Sequence, residues 1–388
     1  MRARKKISRS QFLKVALSAV CVLLGGLLLL SCDSTPKTDQ PAPNKKQAAD
    51  LTTHPVYAAY QFGADDKTID FGTQPLAVPT GTLAEVIQRD KVLGSLLAEA
   101  GYTLKFHSFY KGSDINFFMK RGDLDLAVGG DMPALIAAAQ DFGVATALVK
   151  QNYSAIITDK ITKLEELKGK RVGYAPGSTA HYALMAALKT VDLSDKDLSL
   201  VRLNVNEMTG SLAQGKIDAF AAWEPTPTIA LKTSPNFRVL HRGLSSSYLY
   251  CTQRFFQQKP EIVKLLLASL IRSMRWMTLS TDNLLLASDW SRKAAQRFSG
   301  NQNGLTREEY ARLIEDGIVK IASSPIIPMS VLREDGQLHN ESLFLQRAGK
   351  IAPDVAWQPI LKNFDRRLMT EVLNNPVQFR LKEYIFEK

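Results

Sequence analysis

Residues 121–133 read RGDLDLAVGGDMP, and residues 214–225 read QGKIDAFAAWEP. In both stretches a helix ends at a glycine, an acidic residue follows within three positions, and a short apolar strand comes next. The strands stop at a glycine pair in one stretch and at a Trp-Glu-Pro turn in the other. Strands that alternate with helices in this way indicate an α/β fold with a mainly parallel sheet. Two copies of one unit predict two related lobes.

The same alternation extends outward from these two stretches. At the boundary between the lobes, residues 144–150 and 156–157 are predicted as separate strands, and residues 246–252 as a strand that returns to the first lobe. The predicted division is lobe 1 over 66–150, lobe 2 over 151–245, a return to lobe 1 over 246–300, and a helical C-terminal extension over 301–388. The fold class is therefore expected to be α/β, with two doubly wound lobes.

The N-terminus has the pattern of an export signal. Residues 1–14 are rich in Lys and Arg, and residues 15–30, VALSAVCVLLGGLLLL, carry no charge. The apolar run is shorter than the roughly 20 residues of a membrane-spanning helix, although an uncleaved anchor helix stays open as the alternative. Residues 29–32, LLSC, resemble the lipobox of bacterial lipoproteins. That resemblance implies a signal peptide over 1–31, lipidation of the Cys32 thiol, and a further acyl group such as palmitate on its amine.

The segment that follows Cys32 is polar and rich in Pro, Lys, Asp and Thr. Such a composition cannot bury enough apolar surface to offset the entropy of ordering, so residues 32–65 are predicted to be a flexible tether. Cys21 lies in the signal, so Cys251 is the remaining cysteine and is expected to be a small buried hydrophobe. The folded part is thus expected on the periplasmic or extracellular face of the cytoplasmic membrane, held by a lipid anchor.

The formal net charge of +11 does not indicate a nucleic-acid partner. Six basic residues and no acidic residue lie in the first 31 positions, which leaves 43 basic and 38 acidic residues in the rest. These charges are interspersed, and no basic stripe with interleaved aromatic residues follows the chain. We expect no nucleic-acid binding.

Several strand-to-helix junctions carry polar groups suited to a ligand. Residues 176–181, PGSTAH, follow a strand and open a helix, where free N–H groups and hydroxyls can hold an anion. A plain helix cap by Ser178 or Thr179 explains the same residues equally well. Similar junctions occur at 129–133 and 111–114, and Gln74 follows the first strand. Because ligands of open α/β sheets bind outside the carboxyl ends of the strands, these junctions predict a polar ligand between the lobes.

Trp223 and Glu224 end a strand of the second lobe. The indole can offer a flat face to a ligand, and the Glu224 carboxylate can hold an amine. A tryptophan packed under the hinge beside a solvated glutamate is the alternative.

Catalytic patterns are absent from the sequence. The five histidines are scattered without metal-ligand spacing, and there is no GxSxG, P-loop or GxGxxG pattern. His181 has no nucleophile pattern beside it. We expect no catalytic residues, no metal, no cofactor and no enzymatic activity.

Four segments, taken in order, resemble the nitrate/sulfonate/taurine class of periplasmic solute-binding proteins. They are GDLDLAVGGDMPA (122–134), LEELKGKRVG (164–173), PGSTAH (176–181) and GKIDAFAAWEP (215–225). The resemblance spans roughly residues 66–280. It implies two α/β lobes joined by a two-stranded hinge, the type II periplasmic-binding-protein arrangement, which close on a small solute. It also implies partnership with an ABC permease and its ATPase subunit, and we expect a monomer.

The resemblance also implies where the ligand contacts lie. They map to Gln74, Ser113, Gly130, Asp131, Ser178, Thr179, His181, Trp223 and Glu224. The expected solute is a small anion or zwitterion of the sulfonate, taurine or nitrate kind, with an amine of a zwitterion held at Glu224. Three alternatives remain open on the same fold: a thiamine-precursor binder, a synthase-like enzyme, and a ligand sensor for a membrane receptor.

Overall fold

A computed structural model of the chain describes residues 50–63, 65–302 and 304–387. The predicted signal peptide, Cys32 and the tether up to residue 49 lie outside these residues. None of the helices among the described residues combines the length and the apolar content that a membrane crossing requires.

The strands of the described residues form a single mixed sheet in the order β2-β1-β3-β8-β4-β7-β5-β6. Strand β1 pairs in parallel with β2 and β3, and β5 pairs in parallel with β6 and β7. The strand bounds are β1 (Thr68–Thr73), β2 (Thr103–Ser108), β3 (Leu126–Gly130), β4 (Gly143–Thr158), β5 (Arg171–Tyr174), β6 (Ser199–Arg202), β7 (Ala219–Trp223) and β8 (Arg238–Thr252). The predicted α/β fold with two lobes is confirmed, and we call the half with β1–β3 lobe 1 and the half with β5–β7 lobe 2.

Two long antiparallel strands, β4 and β8, join the lobes. Strand β8 pairs with β3 of lobe 1, and β4 pairs with β7 of lobe 2. They pair with each other from Gly143–Thr252 to Thr158–Arg238, with three register irregularities. The predictions of separate strands at 144–150 and 156–157, and of a strand limited to 246–252, were wrong. The residues between the two predicted strands, 151–155, continue the ladder by pairing with residues 246–242 of β8, and the three irregularities lie outside this stretch.

Helices cover both faces of the sheet and fill the C-terminal region. Their bounds are α1 (Thr80–Ile87), α2 (Lys91–Glu99), α3 (Gly112–Arg121), α4 (Asp131–Ala139), α5 (Thr179–Lys189), α6 (Val205–Ala213), α7 (Thr226–Thr233), α8 (Gln253–Gln258), α9 (Pro260–Leu279), α10 (Thr281–Ser299), α11 (Arg307–Ile318), α12 (Met329–Leu332), α13 (Gln337–Arg347), α14 (Trp357–Leu361) and α15 (Arg367–Asn374). One hydrophobic core belongs to lobe 2, and a larger one joins lobe 1 to the helices after residue 260.

The C-terminal region is an integral part of lobe 1 rather than an extension of it. Tyr310, Leu338, Ile360 and Leu381 are each at most 1% exposed and belong to the lobe 1 core. Ala145 of β4 also exchanges backbone hydrogen bonds with the segment at 363–365. The predicted boundary at residue 301 therefore does not separate two cores, because the apolar stripes of these amphipathic helices are covered by lobe 1.

A buried ion pair ties the chain's C-terminal end to lobe 1. The Arg272 guanidinium donates to Asp90 Oδ2 from Nε at 2.9 Å and from Nη2 at 2.6 Å, and both side chains are fully buried. The Arg272 Nη1 group donates to the Phe379 carbonyl at 2.8 Å. Asp90 also caps α2 by accepting from the Val92 and Leu93 N–H groups. One pair thus connects α2, α9 and the last residues of the chain.

The described residues at the N-terminal end pack onto lobe 1, contrary to the prediction of a tether that extends to residue 65. Tyr57 is 2% exposed. Its hydroxyl donates to Asp114 Oδ2 at 2.8 Å and accepts from the Tyr110 N–H at 3.0 Å. Its ring contacts Phe109 and Phe118. The composition of residues 32–65 as a whole is polar, but the aromatic residues near its end supply enough apolar surface for 50–63 to pack.

Candidate ligand-binding site

A cavity lies between the lobes at the carboxyl ends of strands from both halves. About 470 Å³ in and around it, open solvent at its mouth included, is free of protein atoms. The residues that line it are Gln74, Ala77, Thr80, Lys111, Gly112, Ser113, Gly130, Pro133, Lys150, Pro176, Gly177, Ser178, Thr179, Trp223, Ser245 and Ser247. Six predicted site residues are among them, namely Gln74, Ser113, Gly130, Ser178, Thr179 and Trp223.

The cavity communicates with a wider cleft that carries basic side chains. The cleft shares Lys111 and Ser113 with the cavity and is also lined by Arg202 and Lys350, with Glu207 as its acidic residue. Three cations against one carboxylate give this approach a positive local charge. Such a charge raises the local concentration of anions and speeds their association.

The starts of four helices lie around the cavity. Helices α1, α3, α4 and α5 begin at Thr80, Gly112, Asp131 and Thr179, directly beside or in the cavity wall. Each helix start has backbone N–H groups without an intrahelical partner and a partial positive charge. Helix starts from both lobes therefore face the same small volume, which favours an anionic ligand.

Asp131 lies behind the cavity wall and holds the two lobes together. It is fully buried. Its carboxylate accepts hydrogen bonds from the Thr179 hydroxyl of lobe 2, from Met132 N at 2.8 Å and from Ser246 N at 3.1 Å. Next to it, a β-carbon on Gly130 would lie 2.8 Å from Thr179 Oγ1. The lobes thus meet in close contact at Gly130 and Asp131.

Helix α13 of the C-terminal region also contacts the Asp131 carboxylate. Gln337 Nε2 donates to Asp131 Oδ2 at 3.4 Å and to Glu341 Oε1 at 2.8 Å. Burial, followed by the nearby Asp131 charge, raises the pKa of Glu341 well above its usual value. No sequence pattern linked α13 to the site, because the contact joins residues about 200 positions apart in the chain.

The hydroxyls predicted to hold a ligand are engaged within the protein. Ser178 Oγ accepts from the His181 N–H at 3.2 Å and donates to the Ala175 carbonyl at 2.7 Å. Tyr182 N–H donates to the Ser178 carbonyl. Thr179 donates to Asp131, as described above. Of the first N–H groups of α5, those of Thr179 and Ala180 have no partner in the described part of the chain, and Thr179 is the one of the two that lines the cavity.

His181 packs beside the site and does not line the cavity. Its ring contacts Tyr174 at 4.7 Å between centroids and Phe344 of α13 at 5.2 Å. Its Nδ1 atom accepts from the Gly177 N–H at 3.2 Å. Burial lowers the pKa of His181 to about 4, so the ring is neutral near pH 7. This histidine shapes the Gly177 turn and the contact between α5 and α13.

Glu224 also does not line the cavity. Its Oε2 atom accepts from the Thr228 hydroxyl at 2.8 Å and from the Thr228 N–H at 3.3 Å. Burial raises the pKa of Glu224 above its usual value. Trp223 does line the cavity, and among the residues that the structure describes its indole N–H has no hydrogen-bond partner. The predicted amine site at Glu224 is therefore not placed against the ligand volume.

Lys150 lines the cavity and was missed by the sequence analysis. It lies in the middle of β4 and is 3% exposed. Its Nζ atom donates to Ser245 Oγ at 2.8 Å. Burial lowers its pKa to about 8, and the Asp131 and Glu224 charges oppose part of that decrease. The one signal in the sequence is a lysine at the end of the apolar run 143–149, which is typical of a buried strand and an unusual place for a charge.

The polar side chains of the cavity wall are hydroxyls, one amide, one indole and two lysine ammonium groups. Its lining residues include no Cys, His, Asp or Glu. Within the described ranges no group of His, Cys, Asp and Glu side chains is arranged to hold a metal ion. Cys251 is buried in β8, and burial raises the pKa of its thiol well above the usual value. A protonated thiol in the core is a poor nucleophile.

Comparisons with known proteins agree with this geometry. Residues 98–282 match the family model described as NMT1/THI5 like. The taurine-binding periplasmic protein of Escherichia coli (strain K12) is 28% identical over 218 residues, which are 54% of this chain and 65% of that protein. The matched region thus spans slightly less than two thirds of the relative's length. The resemblance to the nitrate/sulfonate/taurine class is confirmed.

Solved structures share the fold. The alkanesulfonate-binding protein SsuA from Xanthomonas axonopodis pv. citri, bound to MOPS, aligns with a TM-score of 0.58 at 20% identity, over 77% of this chain and 99% of that chain. The desulfurization enzyme DSZB aligns with a TM-score of 0.52 at 15% identity, over 80% and 99% of the two chains. Binding proteins and an enzyme therefore have this same fold, so the fold alone does not decide between them.

Proposed function

We propose that this chain, which carries an NMT1/THI5-like domain on a two-lobed binding-protein fold, is the substrate-binding component of an ABC importer. Its solute is a small oxyanion of the sulfonate, taurine or nitrate kind. The relatives' names support the solute class, since one matched protein binds taurine and one structural neighbour binds alkanesulfonates. A permease and its ATPase subunit are the proposed partners, and the protein works as a monomer outside the cytoplasm.

The observation that carries this proposal is the donor-lined cavity between the lobes. Free N–H groups at the start of α5 come from lobe 2, while α3 and α4 begin at the wall on the lobe 1 side. A ligand that accepts hydrogen bonds from both sides stabilises the closed arrangement over an open one. Closure around a solute is what an importer needs in order to recognise a loaded binding protein.

A second candidate, an enzyme on the same fold, rests on the likeness to DSZB. An enzyme of that kind needs a nucleophile or a general acid or base in contact with its substrate. The cavity wall has none among Cys, His, Asp and Glu, and its titratable groups are Lys111 and Lys150. This composition favours binding.

Calorimetric titration tests the proposal. The purified protein, freed of co-purified solute by partial unfolding and dialysis, is titrated with ethanesulfonate, taurine and nitrate. Saturable binding of at least one of them with a Kd in the micromolar range or below supports the proposal. No saturable binding of any of the three contradicts it. Native mass spectrometry of the protein before dialysis identifies a solute carried from the cell.

We also propose that the protein is a lipoprotein anchored through Cys32 and cleaved after residue 31. Replacing Cys32 with alanine is expected to leave the precursor uncleaved or to release the protein from the membrane fraction, because the acyl chains provide the stable hold. Cell fractionation and intact mass measure both effects. Cys251→Ala, which changes a buried thiol, is the matched control and keeps normal processing. Normal processing and membrane association of Cys32→Ala would refute the lipid anchor.

Ser178→Ala is expected to lower the free energy of unfolding by about 1 kcal/mol and to change ligand affinity by less than about threefold. The reason is that the Ser178 hydroxyl caps α5 and bonds the Ala175 carbonyl. Urea unfolding and calorimetry on the same variant measure the two effects. A large loss of affinity with unchanged stability would mean that the hydroxyl turns toward the ligand.

A further inference from the structure

Four basic side chains are buried in the described part of the chain, and three of them have a carboxylate partner. His107 pairs with Asp70, Lys264 with Glu371 and Arg272 with Asp90, each with a nitrogen–oxygen distance of 2.6 Å. The fourth is Lys150, which has no carboxylate within 4.0 Å and bonds only the neutral Ser245 hydroxyl. Buried charges in proteins are normally paired, because an unpaired one has lost its hydration without compensation.

The position of Lys150 shows where an anionic partner for its ammonium can bind. Its side chain lines the cavity, and an ammonium has three donor hydrogens, of which one serves Ser245. The remaining hydrogens are available to a molecule in the cavity. Thr179, whose N–H group is free, belongs to the same wall. An anionic head group with several oxygens can accept from both the Lys150 ammonium and this N–H group.

No carboxylate lines the wall to pair with a ligand ammonium. The carboxylates nearest to the cavity are Asp131 and Glu224, and neither lines it. The oxygens of Asp131 accept from Thr179, Met132 and Ser246, and Glu224 accepts from Thr228. A ligand ammonium would meet the two lysines of the wall, Lys111 and Lys150, and would lose its hydration without gaining a countercharge.

We infer that Lys150 is the countercharge of the ligand and that the solute is an oxyanion without an ammonium group, such as an alkanesulfonate, rather than a zwitterion such as taurine. This inference rests on the proposed function, and it narrows the class of solute that the site takes. Ala77, Pro133 and Pro176 of the cavity wall provide apolar contacts for a short alkyl group.

The first test compares two ligands that differ only by the amino group, ethanesulfonate and taurine. Calorimetry on the wild-type protein is expected to give ethanesulfonate an affinity at least about tenfold higher, a difference of about 1.4 kcal/mol. Equal or tighter binding of taurine overturns the inference and leaves the proposed function in place. Binding of neither ligand, nor of nitrate, is the separate result that removes the proposed function itself.

The second test replaces the ammonium with a group of similar length, Lys150→Met. Ethanesulfonate affinity is expected to fall at least about tenfold, while the Tm of the ligand-free variant rises. The rise is expected because the folded protein no longer holds an unpaired charge away from water. Lys150→Gln, which keeps a hydrogen-bond donor for Ser245, provides the same readouts if the methionine variant misfolds. Unchanged affinity in the folded variant overturns the inference.

Lys264→Met is the matched control. This lysine is also buried, but its Nζ atom lies 2.6 Å from Glu371 and 2.7 Å from Glu261. Its removal is expected to leave ethanesulfonate affinity unchanged and to change the Tm little, because the Glu371 and Glu261 side chains are 47% and 71% exposed and stay hydrated without the lysine. A Tm that falls in Lys150→Met, with affinity retained, would assign Lys150 a purely structural role and overturn the inference.

Discussion

Arg272→Met is expected to lower the free energy of unfolding by about 3–5 kcal/mol, the largest loss that we predict for a single substitution. The variant leaves the Asp90 carboxylate buried without its cation, and it frees the Phe379 carbonyl that Arg272 Nη1 bonds at 2.8 Å. Urea unfolding followed by circular dichroism measures the loss. Hydrogen exchange at residues 376–387 is expected to accelerate, because the guanidinium ties that end of the chain to α2 and α9.

Arg254→Met provides the matched control for this prediction. Arg254 also pairs with an aspartate, Asp66 at 3.0 Å, but their side chains are 70% and 81% exposed. Exposed pairs contribute little to stability, so the unfolding curve of this variant should superimpose on that of the wild type. A loss of less than about 1 kcal/mol in Arg272→Met would contradict the role of the C-terminal region as part of the lobe 1 core.

Gly130→Ala is expected to weaken ligand binding by about 10- to 100-fold without a comparable loss of stability. The backbone at Gly130 has φ −62° and ψ 170°, which alanine adopts without strain. The added methyl group would lie 2.8 Å from Thr179 Oγ1 of the other lobe. The clash therefore arises only when the lobes close. Small-angle scattering of the variant with saturating ligand should show a larger radius of gyration than the wild type shows.

A double variant tests whether the contact with Thr179 is the cause. In the Thr179→Ala background the hydroxyl is absent, so adding Gly130→Ala should cost much less affinity than it does in the wild type. Gly94→Ala, at a site with no atom within 4 Å of the added methyl, is the control and keeps wild-type affinity. Equal losses from Gly130→Ala in both backgrounds would show that the methyl group acts elsewhere.

The fold was predictable because the sequence patterns that indicate its strands, turns and helices are local. Each strand-to-helix junction is a short run, such as GGDMP at 129–133, whose turn chemistry and periodicity are contained in the sequence. The junctions also predicted a site at the carboxyl ends of the strands, and six of the nine contact residues that the family resemblance implied line the cavity. We propose that these residues bind the solute.

The roles of the other site residues depend on contacts between residues that are far apart in the sequence. No local sequence pattern indicates such contacts. Lys150 belongs to the site because β4 pairs with β8 and places it beside Ser245, 95 positions away. Ser178 fits both a cap and an anion site by sequence, and only the positions of the His181 N–H and the Ala175 carbonyl show that its hydroxyl is occupied. Glu224 was expected to face the ligand, but the Thr228 hydroxyl holds its carboxylate on α7.

A crystal structure of the protein grown with ethanesulfonate would show whether a small oxyanion is held between the lobes. We expect the sulfonate in the cavity, with its oxygens at about 3 Å from Lys150 Nζ and from the Thr179 nitrogen. We also expect the Thr179–Asp131 contact to be retained. A sulfonate bound elsewhere, or an empty cavity at a concentration that saturates binding in solution, would contradict oxyanion binding between the lobes.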